Sequence, residues 1–325
     1  MPAKAQVPTR YALIRHIPVG GQGWWDYIAV YPAKHELYVS HGDEVEVLDE
    51  ITGKSLSVIR PLHGVHGIAF VPELKKAYIS NGQSNEVTVV DMQTYRILRN
   101  IPTDKDPDAI LYEPFTHSII TCNGRSNNLS VIDPVHDRVI HTVALAGKPE
   151  TAVSNQSGEL FVNIENRNEI QRINLRSFQV DASWPLQGGE DPTGLSIDRV
   201  HHRLFAGCAN QKLVVMDSDN GRVVAQLPID RGCDGTDYDP RTEEIFSSNG
   251  AGTLTVIRER YPDRYELVQR LITQPGARTS TIDTTDHHLF LPVARFQPMA
   301  PGQHGRPAIV PNSFDILEVA PVAGK

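Results

Sequence analysis

Short apolar runs separated by turn-forming residues recur along nearly the whole chain. The stretch VHGIAFVPELKKAYISNGQSNEVTVVDMQTYRIL, which begins at Val65, has nearly the same order of apolar and polar positions as PDAILYEPFTHSIITCNGRSNNLSVIDPVHDRVI, which begins at Pro107. Each copy contains runs of about four to eight β-branched, aromatic and aliphatic residues bounded by Gly, Pro, Asn and Asp. Such runs are typical of β-strands, and the 3.6-residue period of an amphipathic helix is absent. The pattern therefore predicts a repeated all-β unit.

Seven segments of the chain share this pattern, with a period of 40 to 44 residues. Each unit contains four predicted strands, and four strands in each of seven units predict a seven-bladed β-propeller. The seventh unit lacks one strand at its C-terminal end, whereas residues 11–19, YALIRHIPV, match the fourth strand of a unit. We therefore expect the N-terminal strand to join the last blade and close the ring, because closure removes an open sheet edge.

This organisation predicts one domain. The propeller is expected to span residues 11–321, after a flexible N-terminal segment at residues 1–10. Residues 297–312, QPMAPGQHGRPAIVPN, interrupt the last unit with four prolines and two glycines. A loop of this length in a compact domain is usually functional or disordered. We expect it to form a partial lid near the channel mouth that carries His304 and Arg306.

The blade motifs resemble a known family. The segments AYISNG, NEVTVVD and CNGRSNNLSVID are similar to those of YVTN-type β-propellers, specifically the YncE-like seven-bladed proteins, over roughly Tyr11 to Pro321. The resemblance implies an exported protein, periplasmic or secreted, whose leader is absent from this sequence. It implies no particular reaction and transfers no catalytic residues.

Composition narrows the classes of partner. The chain has 31 Lys and Arg against 39 Asp and Glu, a net charge of −8, so no basic stripe favours nucleic acid. The sequence contains no apolar run of about 18 residues, so membrane insertion is not expected. Cys122, Cys208 and Cys233 form no metal motif and are expected to be buried thiols. We expect a small-molecule ligand and favour a monomer.

One polar position at the start of each first strand differs from unit to unit. In a propeller the first strand of each blade lines the central channel, so these seven positions should converge at one mouth. The flanking apolar positions are alike in every unit, whereas these change identity and remain polar. Such a ring predicts an asymmetric ligand-binding site. The seven residues are Asp26, His66, Asp108, Glu150, Thr193, Asp234 and Arg278.

The ends of the second strands are expected to face the same mouth. Trp25, preceded by Trp24, is predicted to form an aromatic wall beside them. The Asn-Gly pairs among these ends are also plain turn formers, and that interpretation remains open for them. The predicted ligand-binding residues at these ends are His41, Asn81, Asn123, Glu165 and Asn249.

Crowded carboxylates repel one another, and a cation or a bound proton relieves that repulsion. Oxygen ligands alone suit Ca²⁺ or Mg²⁺, whereas His66 or His41 would favour Mn²⁺ or Zn²⁺. For catalysis, His66 beside Asp108 or Asp26 could serve as an oriented base, and Arg278 could bind a substrate carboxylate. The predicted metal ligands are Asp26, His66, Asp108, Glu150 and Asp234, and the predicted catalytic residues are His66, Asp108 and Arg278.

Three functions fit this ring. The preferred one is an exported propeller that binds a small ligand or a divalent metal ion at the channel mouth. The second is a metal-assisted hydrolase or lyase, similar to propeller lactonases and antibiotic lyases, and the third is a protein-interaction scaffold. The chain has no P-loop, serine nucleophile elbow or dinucleotide fingerprint, which places binding above catalysis. The pairs His201–His202 and His287–His288 are expected to be solvated turn residues at the opposite mouth.

Overall fold

The computed structural model describes residues 10–261, 263–298 and 306–322. These residues form seven four-stranded antiparallel sheets arranged as the blades of a ring, which confirms the predicted seven-bladed propeller. Residues 1–9 of the predicted flexible segment and residues 299–305 of the predicted lid, including His304, lie outside the described residues, whereas Arg10 begins the first strand.

The chain enters the ring through β1 (Arg10–Pro18) and then builds the blades in sequence order, each from the channel outward. Blade 1 contains β2 (Trp25–Tyr31), β3 (Glu36–His41), β4 (Glu44–Asp49) and β5 (Ser55–Ile59). Blade 2 contains β6 (Val65–Val71), β7 (Lys76–Asn81), β8 (Glu86–Asp91) and β9 (Ile97–Pro102). Blade 3 contains β10 (Pro107–Glu113), β11 (Ser118–Asn123), β12 (Asn128–Asp133) and β13 (Arg138–Ala144).

The remaining blades repeat this order. Blade 4 contains β14 (Pro149–Ser154), β15 (Glu159–Ile164), β16 (Glu169–Asn174) and β17 (Gln179–Pro185). Blade 5 contains β18 (Pro192–Asp198), β19 (Arg203–Cys208), β20 (Lys212–Asp217) and β21 (Val223–Pro228). Blade 6 contains β22 (Cys233–Asp239), β23 (Glu244–Asn249), β24 (Thr253–Tyr261) and β25 (Arg264–Ile272). Blade 7 contains β26 (Thr281–Asp283), β27 (His288–Val293), β28 (Asp315–Val322) and the N-terminal β1.

Closure of the ring follows the sequence prediction. β1 pairs antiparallel with β28, from Arg10 opposite Val322 to Pro18 opposite Asp315. Tyr11 fixes this outer strand to blade 6, because its hydroxyl donates to Glu244 over 2.9 Å and its ring packs edge-on against Phe246. The first and last parts of the propeller therefore share one sheet.

The core lies between neighbouring blades rather than at one centre. The third residue of every second strand is a large side chain that is almost completely buried against the adjacent blade. An apolar side chain at this point on both sides of each interface removes the blade faces from water. These residues are Tyr38, Tyr78, Ile120, Phe161, Phe205, Phe246 and Phe290.

Helical structure is minor. The helices of the described chain are three single turns of 3-10 helix, Pro32–Lys34, Pro72–Leu74 and Glu165–Arg167. None of them has the length and apolar character that crossing a lipid bilayer demands. Cys122, Cys208 and Cys233 are buried free thiols.

Candidate functional site

A β-bulge places six of the seven polar ring residues at the channel. In six blades the register between first and second strand shifts at the ring position, for example between Trp25 and Ile28 and between Val65 and Ile68. A bulge bends its strand and redirects a side chain that regular alternation would place elsewhere. The repeated bulge therefore turns the ring side chains toward the same space.

Hydrogen bonds between blades hold this layer in place. The hydroxyl of Ser80 donates to the carbonyl oxygen of Asp108, and that of Thr279 donates to the carbonyl oxygen of Asp26, over 2.5 and 2.6 Å. Ser248 makes the same contact with Arg278 over 2.7 Å. Because each bond joins one blade to the next, the ring residues are positioned before any ligand arrives.

The ring residues line one cavity of about 730 Å³ at the channel mouth. Nine predicted site residues contribute to its wall, and they come from all seven blades. They are Trp25, Asp26, His66, Asp108, Glu150, Glu165, Thr193, Asp234 and Arg278. The convergence expected from their equal register is thus present in the structure.

Tyr27 forms the floor of this cavity. It lies in blade 1, and its hydroxyl is 3.4 Å from the Thr151 hydroxyl in blade 4, on the far side of the channel. Below it lies a separate space of about 240 Å³ with a mostly apolar wall that includes Ile28 and Ile68. Burial and the charges of nearby carboxylates raise the pKa of Tyr27, so its hydroxyl stays neutral. A ligand entering from the mouth meets this floor.

Asp26, His66 and Asp108 form a titratable group on one side of the cavity. His66 Nδ1 lies 2.6 Å from Asp26 Oδ2 and 3.6 Å from Asp108 Oδ1. Burial alone would lower the pKa of His66, but the hydrogen bond to Asp26 and the two carboxylate charges raise it to about 9. At neutral pH the His66 side chain is therefore an imidazolium, and its Nδ1–H donates to Asp26.

The two carboxylates of this group differ in charge state. Burial opposes ionisation of Asp26, but the hydrogen bond from His66 and the charge of Arg278 lower its pKa. Burial and the charge of Asp26 raise the pKa of Asp108 to about 7. Asp108 Oδ1 is buried and has no hydrogen-bond partner among the described residues. A proton or a ligand is therefore held at Asp108 more readily than at Asp26.

Arg278 is occupied by carboxylates of the ring itself. Its Nη2 donates to Asp26 Oδ1 over 3.2 Å and to the Trp25 carbonyl oxygen over 3.3 Å. Its Nε forms an ion pair with Asp234 Oδ2 at 2.6 Å. Burial raises the pKa of Asp234 to about 6 despite the charge of Arg278. In this geometry Arg278 orients Asp26 and Asp234 rather than presenting a free fork to a ligand.

A second charged group lies across the cavity. The Lys148 ammonium contacts both Glu150 and Glu165, the latter over 2.5 Å. Burial and the charge of Asp108 raise the pKa of Glu150 above its ordinary value. Thr193 completes this side, with its hydroxyl donating to the Cys233 carbonyl oxygen over 2.6 Å.

The aromatic wall forms as expected and extends to the insertion. Trp24 and Trp25 stack with ring centroids 5.9 Å apart, and Phe296 packs against both. The Arg306 guanidinium lies over the Trp24 ring at 5.1 Å and lines the cavity. Phe296, which directly precedes the insertion, also forms a β-bridge with Ile309 inside it. The C-terminal part of the insertion therefore borders the cavity.

Four predicted ligand residues lie outside the cavity wall. His41 is 2% exposed and stacks on Phe314 at 4.2 Å, and burial lowers its pKa to about 4. The three asparagines bond to hydroxyls inside their own blades: Asn81 to Thr88, Asn123 to Ser130 and Asn249 to Thr255. Their side chains point into the sheet rather than the channel. The three asparagines end their strands, and neither they nor the glycines that follow have a positive φ, so the positive-φ turn interpretation is wrong as well.

Other cavity residues were missed by the sequence argument, although two positional signals point to them. The residue after the glycine in HGD, NGQ and NGR faces the mouth, which adds Asp43, Gln83 and Arg125. The residue two positions before the ring residue adds Asp106 and Lys148. Both signals use the same register logic as the ring and could have been read from the repeats.

Comparison with known proteins identifies the fold. No family model matches the chain, and no curated protein matches it. Hydrazine synthase from Kuenenia stuttgartiensis matches with a TM-score of 0.74 and 16% identity, over 85% of this chain and 94% of that chain. The structure of U3-55K matches with a TM-score of 0.78 and 11% identity, over 95% and 98%. The WD40 repeats of RRP9 match with a TM-score of 0.79 and 11% identity, over 94% and 97%. At these identities the similarity establishes the propeller fold alone.

Proposed function

We propose that this protein binds a small molecule through a cationic or hydrogen-bond-donating group at the acidic mouth of its channel. The observation that carries the proposal is Asp108 Oδ1, which is buried against the cavity and lacks a hydrogen-bond partner in the described part of the chain. Leaving a buried acceptor without a donor costs on the order of 1–3 kcal/mol. A donor supplied by a ligand would recover that free energy.

The charge of the cavity favours the same kind of ligand. Seven acidic residues line it against four Lys and Arg residues and His66. Two of those basic groups, Arg278 and Lys148, already contact ring carboxylates. The remaining negative potential attracts a positive group, and the Tyr27 floor limits the ligand to a small molecule.

The proposal is tested by titrating the purified protein with small ammonium compounds, neutral polyols and dicarboxylates in a thermal-shift assay, followed by calorimetry on any hit. We expect ammonium compounds or polyols to stabilise the protein. Asp108→Asn should weaken their binding at least about tenfold, because it replaces the acceptor charge. Glu190→Gln, at an exposed acid that does not line the cavity, is the matched control. Equal affinity in wild type and Asp108→Asn would reject the proposed site.

A divalent metal ion is the second candidate ligand. One ligand atom each from Asp26, His66 and Asp108 lies within 4.8 Å of the others. Their oxygen and nitrogen donors fit Mn²⁺ or Zn²⁺, and such an ion would supply an activated water for hydrolase or lyase chemistry. The predicted ligands Glu150 and Asp234 lie outside this group, and they pair with Lys148 and Arg278.

The metal would have to replace the proton between His66 and Asp26. A ligating imidazole must be neutral, so metal affinity should rise about tenfold per pH unit as the pH approaches 9. Calorimetry with Mn²⁺ and Zn²⁺ at several pH values measures this slope. If neither ions nor small molecules bind the cavity, the interaction-scaffold function becomes the preferred one.

We further infer that the chain is a YVTN-type, YncE-like propeller that works in the periplasm or outside the cell. The support is the set of blade motifs AYISNG, NEVTVVD and CNGRSNNLSVID, now assigned to second and third strands of blades 2 and 3. Fractionation of cells that express the native gene is the test. Recovery of the protein only from the cytoplasm would contradict export.

A further inference from the structure

A second group of metal-type ligands lies at the opposite face of the propeller, where the first and last blades meet. It consists of His35 and Glu50 from blade 1 and Asp283 from blade 7, with one ligand atom of each within 4.8 Å of the others. His35 Nδ1 is 3.4 Å from Glu50 Oε2. We call these three residues the seam cluster.

The two carboxylates of the seam cluster are buried and only partly paired, because Asp283 Oδ1 accepts from the Thr285 backbone N–H over 2.6 Å and His35 lies beside Glu50. Glu50 is 2% exposed and Asp283 is fully buried. Both side-chain oxygens of Glu50, and Oδ2 of Asp283, lack a hydrogen bond to any described residue. Two facing carboxylates cannot satisfy each other, so the cluster requires a cation or a proton.

The nearest arginine contact does not supply that cation. Arg15, on β1, donates to the carbonyl oxygens of Glu50 and Ile51 over 2.6 Å and to the Glu318 carboxylate over 2.5 Å. Its guanidinium is thus committed to backbone oxygens and another acid. In the described chain, His35 is the basic residue that forms an ion pair with Glu50.

Three equivalent blade interfaces show how this position is normally satisfied. The last residue of the first strand is a buried acid in blades 3, 5 and 6, and the next blade provides its donor. Ser154 donates to Glu113 over 2.8 Å, Tyr238 donates to Asp198 over 2.7 Å, and His287 contacts Asp239 over 2.5 Å. In blade 7 the same position is Asp283, but the next blade presents Glu50. Asp283 therefore faces another acid, whereas Glu113, Asp198 and Asp239 each face a hydrogen-bond partner from the next blade.

Those contacts also correct the expectation for the paired histidines. They lie at the opposite mouth as expected, but His287 and His288 are only about one-quarter exposed and contact Asp239 and Glu318. Blade 5 shows the same use of histidine, because His201 Nδ1 lies 2.7 Å from Asp198 Oδ2. Histidines at this face therefore commonly contact buried acids, and His35 is placed to do the same.

We propose that the seam cluster binds a divalent transition-metal ion, Zn²⁺ or Mn²⁺, through Glu50, Asp283 and His35. Two carboxylate oxygens and one imidazole nitrogen form a ligand set that these ions accept. The half-exposed His35 provides the open side through which the ion enters. Because the ligands come from the first and last blades, the ion fastens the ring at its closing interface.

The test is calorimetric titration of the chelator-treated protein with Zn²⁺ near neutral pH, in an Asp26→Asn background that disables the channel group. We expect one ion per chain. Glu50→Gln and Asp283→Asn should each weaken binding about 100-fold, because each removes an anionic ligand from a buried site. Glu113→Gln, at the same position in blade 3, should leave the affinity unchanged within about threefold.

His35→Ala keeps the experiment decisive if the acid variants fold poorly, because His35 is largely exposed and its loss should be tolerated. It should lower Zn²⁺ affinity about tenfold and alter the visible absorption of bound Co²⁺, since a nitrogen ligand is lost. The proposal is overturned if the Asp26→Asn protein binds no Zn²⁺. It is also overturned if adding Glu50→Gln or His35→Ala to that protein leaves its Zn²⁺ affinity unchanged. In either case the two acids share a proton instead. This result is independent of whether the channel binds a ligand.

Discussion

At the residue scale, both candidate sites contain a buried acid that has side-chain oxygens without a hydrogen-bond donor. Asp108 in the channel and Glu50 at the seam each have side-chain oxygens with no partner among the described residues. In each case burial and a neighbouring acid raise the pKa, to about 7 for both. A fold that keeps such a group gives up stability at that point, which is common where a ligand is bound.

Asp108→Asn should therefore stabilise the ligand-free protein above neutral pH. The wild-type carboxyl has a folded pKa of about 7 against an ordinary value of 3.8, so its favourable contribution is lost as the pH rises through 7. Removing the charge should raise the free energy of unfolding by about 1–3 kcal/mol at pH 8 or higher. Urea unfolding at several pH values measures it, with Glu190→Gln as the control. A loss of stability in Asp108→Asn at alkaline pH would mean that the ionised carboxylate has a stabilising partner.

At the scale of the element, the first strand of each blade determines the geometry of the site. Its bulge directs the ring side chain to the channel, and in blades 2, 5 and 6 the next residue is a glycine that lets the neighbouring first strand approach. A Cβ added to Gly194 would lie 2.8 Å from the backbone nitrogen of Thr236 and 2.9 Å from the carbonyl carbon of Gly235. These glycines hold the ring at its observed diameter.

Gly194→Ala should consequently destabilise the protein by about 1–3 kcal/mol, because the contact is with backbone that cannot move aside alone. It should also weaken ligand binding, since Thr193 and Asp234 flank the displaced strands. Gly124→Ala is the matched control, because its added Cβ would meet its neighbours at 3.5 Å or more. Thermal unfolding and ligand titration of both variants test the idea, and equal melting temperatures would show that the ring widens without cost.

Deleting residues 1–18 should destabilise the propeller and promote self-association. The deletion removes β1, exposes the edge of β28, and takes the buried Tyr11 and Ile17 out of the core. Two such side chains contribute about 3–6 kcal/mol together. Deletion of residues 1–9 leaves β1 whole and serves as the control. Thermal unfolding and size-exclusion chromatography compare the two truncations, and matching profiles would contradict ring closure through β1.

For the whole molecule, these groups act together on the dependence of stability on pH. Asp108, Asp234, Glu50 and His66 all have folded pKa values above their ordinary ones, at about 7, 6, 7 and 9. Each contributes stability that is complete below its unfolded pKa and is lost as the pH rises through the folded value. His41 acts oppositely, because its pKa of about 4 means its contribution is lost as the pH falls from 6.5 to 4.

The metal-free protein should therefore be most stable at about pH 4 to 5 and lose several kcal/mol as the pH rises from there to about 9. Melting temperatures measured in chelator across this range test the expectation. Saturating Zn²⁺ should flatten the curve if ions bind at the channel or the seam, because a bound ion replaces the proton. A flat profile in chelator would show that the buried acids and His66 titrate alike in the folded and unfolded states.

The repeat in the sequence was sufficient to predict the seven blades, the closing strand and the convergence of the ring. Apolar alternation decides which face of a strand is buried, and equal register within repeats places residues at equal height on the channel wall. Apolar alternation and repeat register can both be recognised from the order of residues along the chain. For this reason the sequence predicted that Asp26, His66 and Asp108 lie close together, although they belong to three different blades.

Only the tertiary structure decided what each side chain meets. The sequence could not show that Asn81 turns into its own blade, that Arg278 is occupied by Asp26 and Asp234, or that Glu50 faces Asp283. These outcomes depend on side-chain direction and on distances across blade interfaces, which the closed ring sets to within a few ångströms. Electrostatic interactions and pKa values change steeply over such distances in a buried environment, so the charge state of the site follows from packing rather than from the pattern.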